Sequence, residues 1–455
     1  MCKAATTPQD IHISDFSSLP RKPLVDDAGL LKTLYIMAYS HLSVTFLCLN
    51  VMFDLFVLGV PALILHALGI LSDKNFTRYT TVLIDWTTPI VCAAPVVFSG
   101  TQLYCNDINL LIESKEKNSL FLANHGSRID WMIAMVCGHM KDLVSKKVTR
   151  CRVGFVCEAI IQYMPFIGWY RKMICDDVFV SRSFQADGPI IKKNISHFHR
   201  SGCTRMLFLS PEGVVVDFGK RDVEYIKECR EFCKEQGYRP FEYTLTPRYK
   251  GTTCLLKQTE AGGPVVSVTL AYVRDGKLLN CRLTSPNRVI PDIYLLHQGI
   301  GGKPVHVYIH LERLDISTTN VPDLKNVLMT DYERKDKMLS MWDKFMLGEQ
   351  QTQSAEKSSW MSQFTAIDMN VKSALLYQLL HAIVMFAAAS LCGCMDKLLL
   401  SIKILFVTVA SCHTLGWVMN STSMESVPFE TGIKGIYKAT TGMKRTNCLD
   451  KCKSK

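Results

Sequence analysis

The sequence predicts an α/β domain over residues 105–350, with a central mixed sheet flanked by helices, set between apolar segments that meet a membrane. Three observations predict it. Short runs rich in Val, Phe, Ile and Leu alternate with helical stretches through the middle of the chain, the pattern of a buried sheet covered by helices. Long apolar stretches lie on either side. And one of the short runs ends in "ANHGSRIDW", residues 123–131, where a histidine and an aspartate stand five positions apart between two apolar segments.

In chain order, residues 1–28 are polar and carry no signal-peptide pattern. Residues 29–104 read as membrane-embedded and interfacial helices. Leu34 to Leu71 spans 38 residues with one formal charge, Asp54. A crossing needs about 20 apolar residues, so this run holds either one spanning helix with a shallow second one, or a hairpin that breaks at Gly59 and Pro61. Thr81 to Ser99 is also apolar, but Asp85, Pro89 and Pro95 favour an interfacial helix under the next domain. Within 105–350, "SLFLAN", "DVFVSR", "RMLFLSPEG", "VVSVTLAY" and "VHVYIHLER" read as strands. "EYIKECREFCKEQG" reads as an amphipathic helix stopped by Gly237. Residues 351–372 are Gln/Ser-rich and read as a linker. Residues 373–420 predict a transmembrane hairpin: Ala374–Gly393 has no formal charge, Leu398–Met419 only Lys403. Residues 421–455 form a basic tail whose last lysines, Lys453 and Lys455, fit either a retrieval signal of endoplasmic reticulum membrane proteins or a solvated end.

Bulk composition narrows the function classes. Hydrophobic residues make up 48% of 455, mean hydropathy is +0.12, and the net charge is +11. A basic excess favours anionic partners, and beside apolar segments these are a bilayer surface or phosphorylated substrates rather than nucleic acid. The 18 cysteines show no Cys-x-x-Cys pair and no Cys/His cluster at zinc spacing, so no metal and no disulfide framework are expected. Three or four apolar segments with sparse charges are too few for a transporter.

His125 and Asp130 carry the chemistry. On a straight helix five residues is about 500° of rotation, so their side chains would point apart. They meet only if Gly126 and Ser127 turn the chain and Asp130 opens the next helix, where the dipole favours an acid. The Asp then orients the imidazole as in hydrolase triads. The bland alternative is a capping Asp beside an unrelated His. The sequence has no Gly-x-Ser-x-Gly elbow, so the pair suits direct transfer, with the base activating an acceptor hydroxyl. Further on, Gly168-Trp169 precedes Phe179 and Arg182, an apolar wall and a phosphate clamp in the sharper reading, a surface arginine in the plainer one. Pro211-Glu212-Gly213 follows another strand, a carboxylate and a glycine on an exit loop.

These three elements together resemble the glycerolipid acyltransferase family, the acyl-CoA-dependent 1-acylglycerol-3-phosphate and lysophospholipid acyltransferases. The Asn-His-x4-Asp motif falls on Asn124, His125 and Asp130, and Phe-x-x-Arg on Phe179 and Arg182. Pro-Glu-Gly-Thr falls on Pro211, Glu212 and Gly213, with Val214 in place of the threonine. Trp131 and "YTLTPRYKG", with Pro247, Arg248 and Gly251, are similar to the lysocardiolipin-acyltransferase branch. The resemblance covers roughly residues 100–315. It implies His125 as general base, Asp130 as its orienter, Arg182 on the acceptor phosphate, and Asn124, Phe179, Glu212, Gly213 and Arg248 as substrate-binding residues. It also implies acyl-CoA as co-substrate with no cofactor, a lysophospholipid acceptor, and flanking membrane segments. The hairpin returns the basic tail to the side of the catalytic domain, and a basic excess marks the cytoplasmic side, so a multi-pass endoplasmic reticulum protein with its catalytic domain facing the cytosol is expected. Lys146, Lys147, Arg171 and Lys172 lie near the motifs and could meet phosphates. Val214, and the lack of a proline within "VVSVTLAY" (Pro264 lies just before it), depart from the family pattern. A membrane hydrolase, with water as acceptor, and a non-catalytic scaffold are the competing readings.

Overall fold

A computed structural model describes residues 30–88, 96, 98–138, 151–181, 183–216, 220–260, 262–285, 287–316, 324–347, 361–367, 371–404 and 406–407. Its centre is a nine-stranded mixed sheet: β1 Leu103–Cys105, β2 Ser119–Ala123, β3 Arg152–Glu158, β4 Val178–Val180, β5 Arg205–Leu209, β6 Val265–Arg274, β7 Lys277–Leu278, β8 His306–Leu314 and β9 Thr365–Ala366. The order is β4-β3-β5-β2-β6-β8-β1-β9, with β7 paired to β6. The first five strands in that order run parallel; β8 pairs antiparallel with β6 and parallel with β1.

All five predicted strands are present, for a reason visible in their burial. Every residue of β2 and of β6 is buried, so both faces of the sheet's centre are covered and these strands read as continuous apolar runs. β3 lacks that signature because it opens on Arg152 and carries Gly154. The Arg152 guanidinium is itself buried, donating to the carbonyls of Ile174 and Cys175 and to the Thr80 hydroxyl. A Cβ on Gly154 would come within 2.9 Å of Arg205 Cδ. The helix around 224–237 runs Lys220–Glu235 and ends before Gly237 at φ +75°, the left-handed position glycine takes at a helix end. Thr365 and Ala366, inside the expected linker, add a short antiparallel edge strand to β1.

The N-terminal apolar run is one path, not a hairpin. Helix α1, Leu30–Phe53, passes through a π-helical turn, Asp54–Gly59, into α2, Val60–Ala67. Pro61 has no N–H and would break a regular ladder. Here the wider turn comes just before it, with the Val60 N–H reaching back to the Leu55 carbonyl. Leu34–Ala67 is the one helix among the described residues long and apolar enough to cross a membrane. Part of it packs on the domain, where Ser40 Oγ lies 3.0 Å from His297 Nδ1. Helix α3, Asp73–Thr88, starts earlier than expected and buries Thr77, Thr80, Leu83, Ile84, Thr87 and Thr88.

The C-terminal transmembrane hairpin is not supported. Helix Val371–Leu391 holds an apolar part, Gln378–Leu391, that falls short of a crossing. The chain turns at Gly393, φ +62°, and is helical again from residue 395, but most of the expected second arm lies outside the described residues. The polar N-terminal tail, Lys146, Lys147, Arg182 and the basic tail lie outside them too.

Candidate active site

The site forms where parallel strands end together. In the register, Leu122 stands opposite Leu209. His125 and Glu212, each three residues further on, therefore leave the same edge at the same level, and the carboxyl ends of parallel strands are where α/β sheets hold their ligands. The Glu212 side chain closes that meeting. Its Oε1 accepts the His125 backbone N–H at 3.0 Å, and Oε2 accepts the Leu245 N–H at 3.3 Å. Glu212 is 3% exposed, and burial pushes its carboxyl up to about 7 despite those two donors and the His125 and Arg288 side chains nearby.

After β2 the chain turns as the His–Asp geometry requires. Ser127 Oγ donates to the Pro291 carbonyl at 3.0 Å and accepts from the Ile129 N–H at 2.9 Å. A Cβ on Gly126 would come within 2.7 Å of Asn280 Nδ2, so the turn needs glycine. Helix α5, Asp130–Gly138, then starts on the acid. His125 Nδ1 lies 2.8 Å from Asp130 Oδ2, which also accepts the Ser127 N–H at 3.3 Å, while Tyr272 donates its hydroxyl to Oδ1. An acceptor-only carboxylate at Nδ1 fixes the tautomer with the proton on Nδ1. That leaves Nε2 as the nitrogen for a substrate hydroxyl, on a side chain still 30% exposed.

The other sequence-singled residues divide into two groups. Asn124, Gly213 and Arg248 gather at the same edge. The Asn124 amide is spent on the backbone of β6: Nδ2 donates to the Leu270 carbonyl at 3.1 Å, and Oδ1 accepts the Leu270 N–H at 2.7 Å. Gly213 has φ +73° and a Cβ there would lie 3.3 Å from the Arg248 guanidinium, which is also hydrogen-bonded to the Tyr225 hydroxyl. The Arg248 backbone N–H donates to the Pro211 carbonyl at 2.9 Å, so the loop after β5, with its acid and glycine, is tied to the separate segment that carries the arginine. Val214, in place of the family's threonine, packs against an apolar cluster with Val216, Ile226 and Leu245.

Phe179 lies apart, buried on β4, the edge strand three places from β2, or about 14 Å at ~4.8 Å per strand. Lys172 Nζ sits 5.2 Å from its ring centre. Arg171 does not serve as a free phosphate-facing cation: it is buried in a bidentate pair with Asp177 at 2.5 Å. Sequence reasoning missed Tyr272, Asn280 and Leu245. Their contacts to the site cross the fold, as Tyr272 to Asp130 does over 142 positions, and no local pattern marks them. An apolar pocket adjoins the site, lined by Val51, Thr87, Thr88, Trp131, Met135, Ile167 and Tyr170, with Arg171 at its margin. Trp131 directly follows Asp130.

Fold and site thus define a class, an α/β protein with a carboxylate-oriented histidine at the carboxyl edge of parallel strands. Residues 107–271 match the family described as Acyltransferase, and every motif residue discussed above falls within that stretch. The chain is 25% identical over 250 residues to the probable 1-acyl-sn-glycerol-3-phosphate acyltransferase 5 of Arabidopsis thaliana, covering 54% of this chain and 56% of that one. It is 21% identical over 266 residues to lysocardiolipin acyltransferase 1 of Gallus gallus, covering 57% and 61%. To lysocardiolipin acyltransferase 1 of Danio rerio it is 25% identical over 160 residues, 34% and 38%. The chain thus spans little more than half the length of the first two. No solved structure matches it.

Proposed function

We propose that the chain is an acyl-CoA-dependent acyltransferase that esterifies the free hydroxyl of a lysophospholipid, lysophosphatidic acid or a related lysoglycerophospholipid. The observation that carries this reading is the His125 Nδ1 to Asp130 Oδ2 contact of 2.8 Å at the strand edge, with Nε2 left for substrate. Nε2 takes the proton of the acceptor hydroxyl as its oxygen attacks the thioester carbonyl. The C–S bond breaks and the leaving thiolate takes the proton back from His125. Asp130 holds the ring and balances the imidazolium, as the orienting acid does in a triad. The thioester drives the transfer, and the reaction needs no cofactor.

Arg248 on Gly213 and Arg182 after β4 are the proposed phosphate-binding groups, since a guanidinium matches phosphate geometry. Phe179 would wall the far side. The apolar pocket beside Trp131 would take an acyl chain. We place the protein in the endoplasmic reticulum membrane, anchored through the Leu34–Ala67 helix, with the site on the cytosolic face where acyl-CoA is available. A labelled acyl-CoA offered with a panel of lysophospholipids tests the reading. Acceptor-dependent appearance of diacyl product is expected. Thioester cleavage at the same rate without acceptor would make the protein a hydrolase instead.

A further inference from the structure

β2 is the strand that presents His125, and its last two carbonyls are held by side chains of one distant helix, α11, Leu324–Leu347. Lys335 Nζ donates to the Leu122 carbonyl at 2.7 Å, and the Tyr332 hydroxyl donates to the Ala123 carbonyl at 3.2 Å. Both side chains are fully buried. The second contact fills a gap in the ladder. Continuing the register Phe121 to Phe208 puts Ala123 opposite Ser210. The N–H that would serve the Ala123 carbonyl is then that of the next residue, Pro211, which has none. Tyr332 supplies a donor in its place.

Lys335 is less easily explained as packing. A buried ammonium is costly, and an apolar side chain of similar size often does as well. It pairs with Asp331, one turn back, at 3.1 Å. Asp331 in turn accepts the Ser267 hydroxyl from β6 at 2.7 Å and the Arg334 guanidinium. One network therefore runs from β6 through Asp331 and Lys335 to the end of β2.

We propose that Lys335 and Tyr332 are positioning residues of the transfer reaction: they fix the last two carbonyls of β2 and so aim His125. The inference rests on the acyltransferase reading above.

The test uses the full chain in membranes, with labelled acyl-CoA and a lysophospholipid that the wild type accepts. Lys335→Met should lower kcat by about tenfold or more, as a small misplacement of a reacting group does. It should leave both KM values within about twofold. Lys335→Arg, which keeps a donor for the Leu122 carbonyl, should recover most of kcat. Tyr332→Phe should lower kcat less. If Lys335→Met does not accumulate as folded protein, Asp331→Asn combined with Lys335→Met removes both charges at little change in volume and is read in the same way. Folded variants with wild-type kcat would overturn the inference, as would a loss expressed in KM alone. Absence of transfer by the wild-type chain on every lysophospholipid would sink the acyltransferase reading and this inference with it, whereas a transferring wild type with variants of unchanged kcat sinks the inference alone.

Discussion

Among the described residues, two His–Asp pairs are close and of nearly the same length. His125 and Asp130 meet at 2.8 Å, His381 and Asp54 at 2.9 Å. The first opens from a strand edge, with the histidine side chain 30% exposed. The second lies between apolar helices, its side chains 1% and 0% exposed. There Asp54 sits on the π-turn and also accepts the Thr87 hydroxyl at 2.6 Å, while His381 Nδ1 is buried with no hydrogen-bond partner among the described residues. The difference lies in what surrounds the couple. A general base needs one nitrogen oriented and the other open to substrate, and only His125 has both. The buried pair instead ties helix Val371–Leu391 to the N-terminal helix, and neither partner can leave without stranding the other.

The comparison breaks most sharply at the open pair. His125→Ala should cut transfer by about 10²–10⁴-fold, the range for a positioned base, with the protein still folded and membrane-bound. Asp130→Asn should cost a similar order, because the orienting charge is lost, and steady-state rates at matched protein levels check both.

Glu212 sharpens the electrostatic side. A glutamine has one acceptor oxygen for two N–H donors, so Glu212→Gln should lower kcat by about tenfold, through displacement of His125. The wild-type profile should fall off toward acid as the carboxylate, raised to about 7, takes up a proton, and the fall-off of the variant should be shallower. Stability moves in the opposite sense. The folded-state pKa is raised from 4.5 to about 7, so the stabilising contribution of this group is complete below 4.5 and disappears as pH climbs through about 7. Thermal unfolding followed over that window gives the sign.

At the buried pair the effect should appear in stability and not in chemistry. His381→Ala leaves the Asp54 carboxylate short of a partner, which costs about 1–3 kcal/mol, while acyl transfer per folded molecule stays within about twofold of wild type. The smallest change is expected from Tyr272→Phe, which removes one of the donors to Asp130. One hydrogen bond of about 0.5–1.5 kcal/mol corresponds to a two- to tenfold loss of kcat.

The parts of this architecture legible in the sequence were those where a local pattern reports a local cause. β2 and β6 are covered on both faces and so write themselves as apolar runs. The His125–Asp130 spacing could be resolved only by a turn, and Gly126-Ser127 provides one. What stayed hidden depends on distant partners. Arg171 stands beside a motif and looked available, but Asp177 buries it. Pro61 looked like a helix break, but the π-turn absorbs it. Asn124 looked like a ligand-facing amide, yet it pairs with Leu270, 146 positions away. Lys335 reaches Leu122 across 213 positions, a contact that only the packing of α11 on the sheet creates.

The central claim is that the open histidine, and not the buried one, is the base. Acceptor-dependent transfer from labelled acyl-CoA, measured side by side for His125→Ala and His381→Ala in membranes containing equal amounts of folded protein, tests it most directly. The account predicts that His125→Ala loses at least about a hundredfold while His381→Ala keeps most of its activity. Near-normal transfer by His125→Ala, or an equal loss in folded His381→Ala, would contradict it.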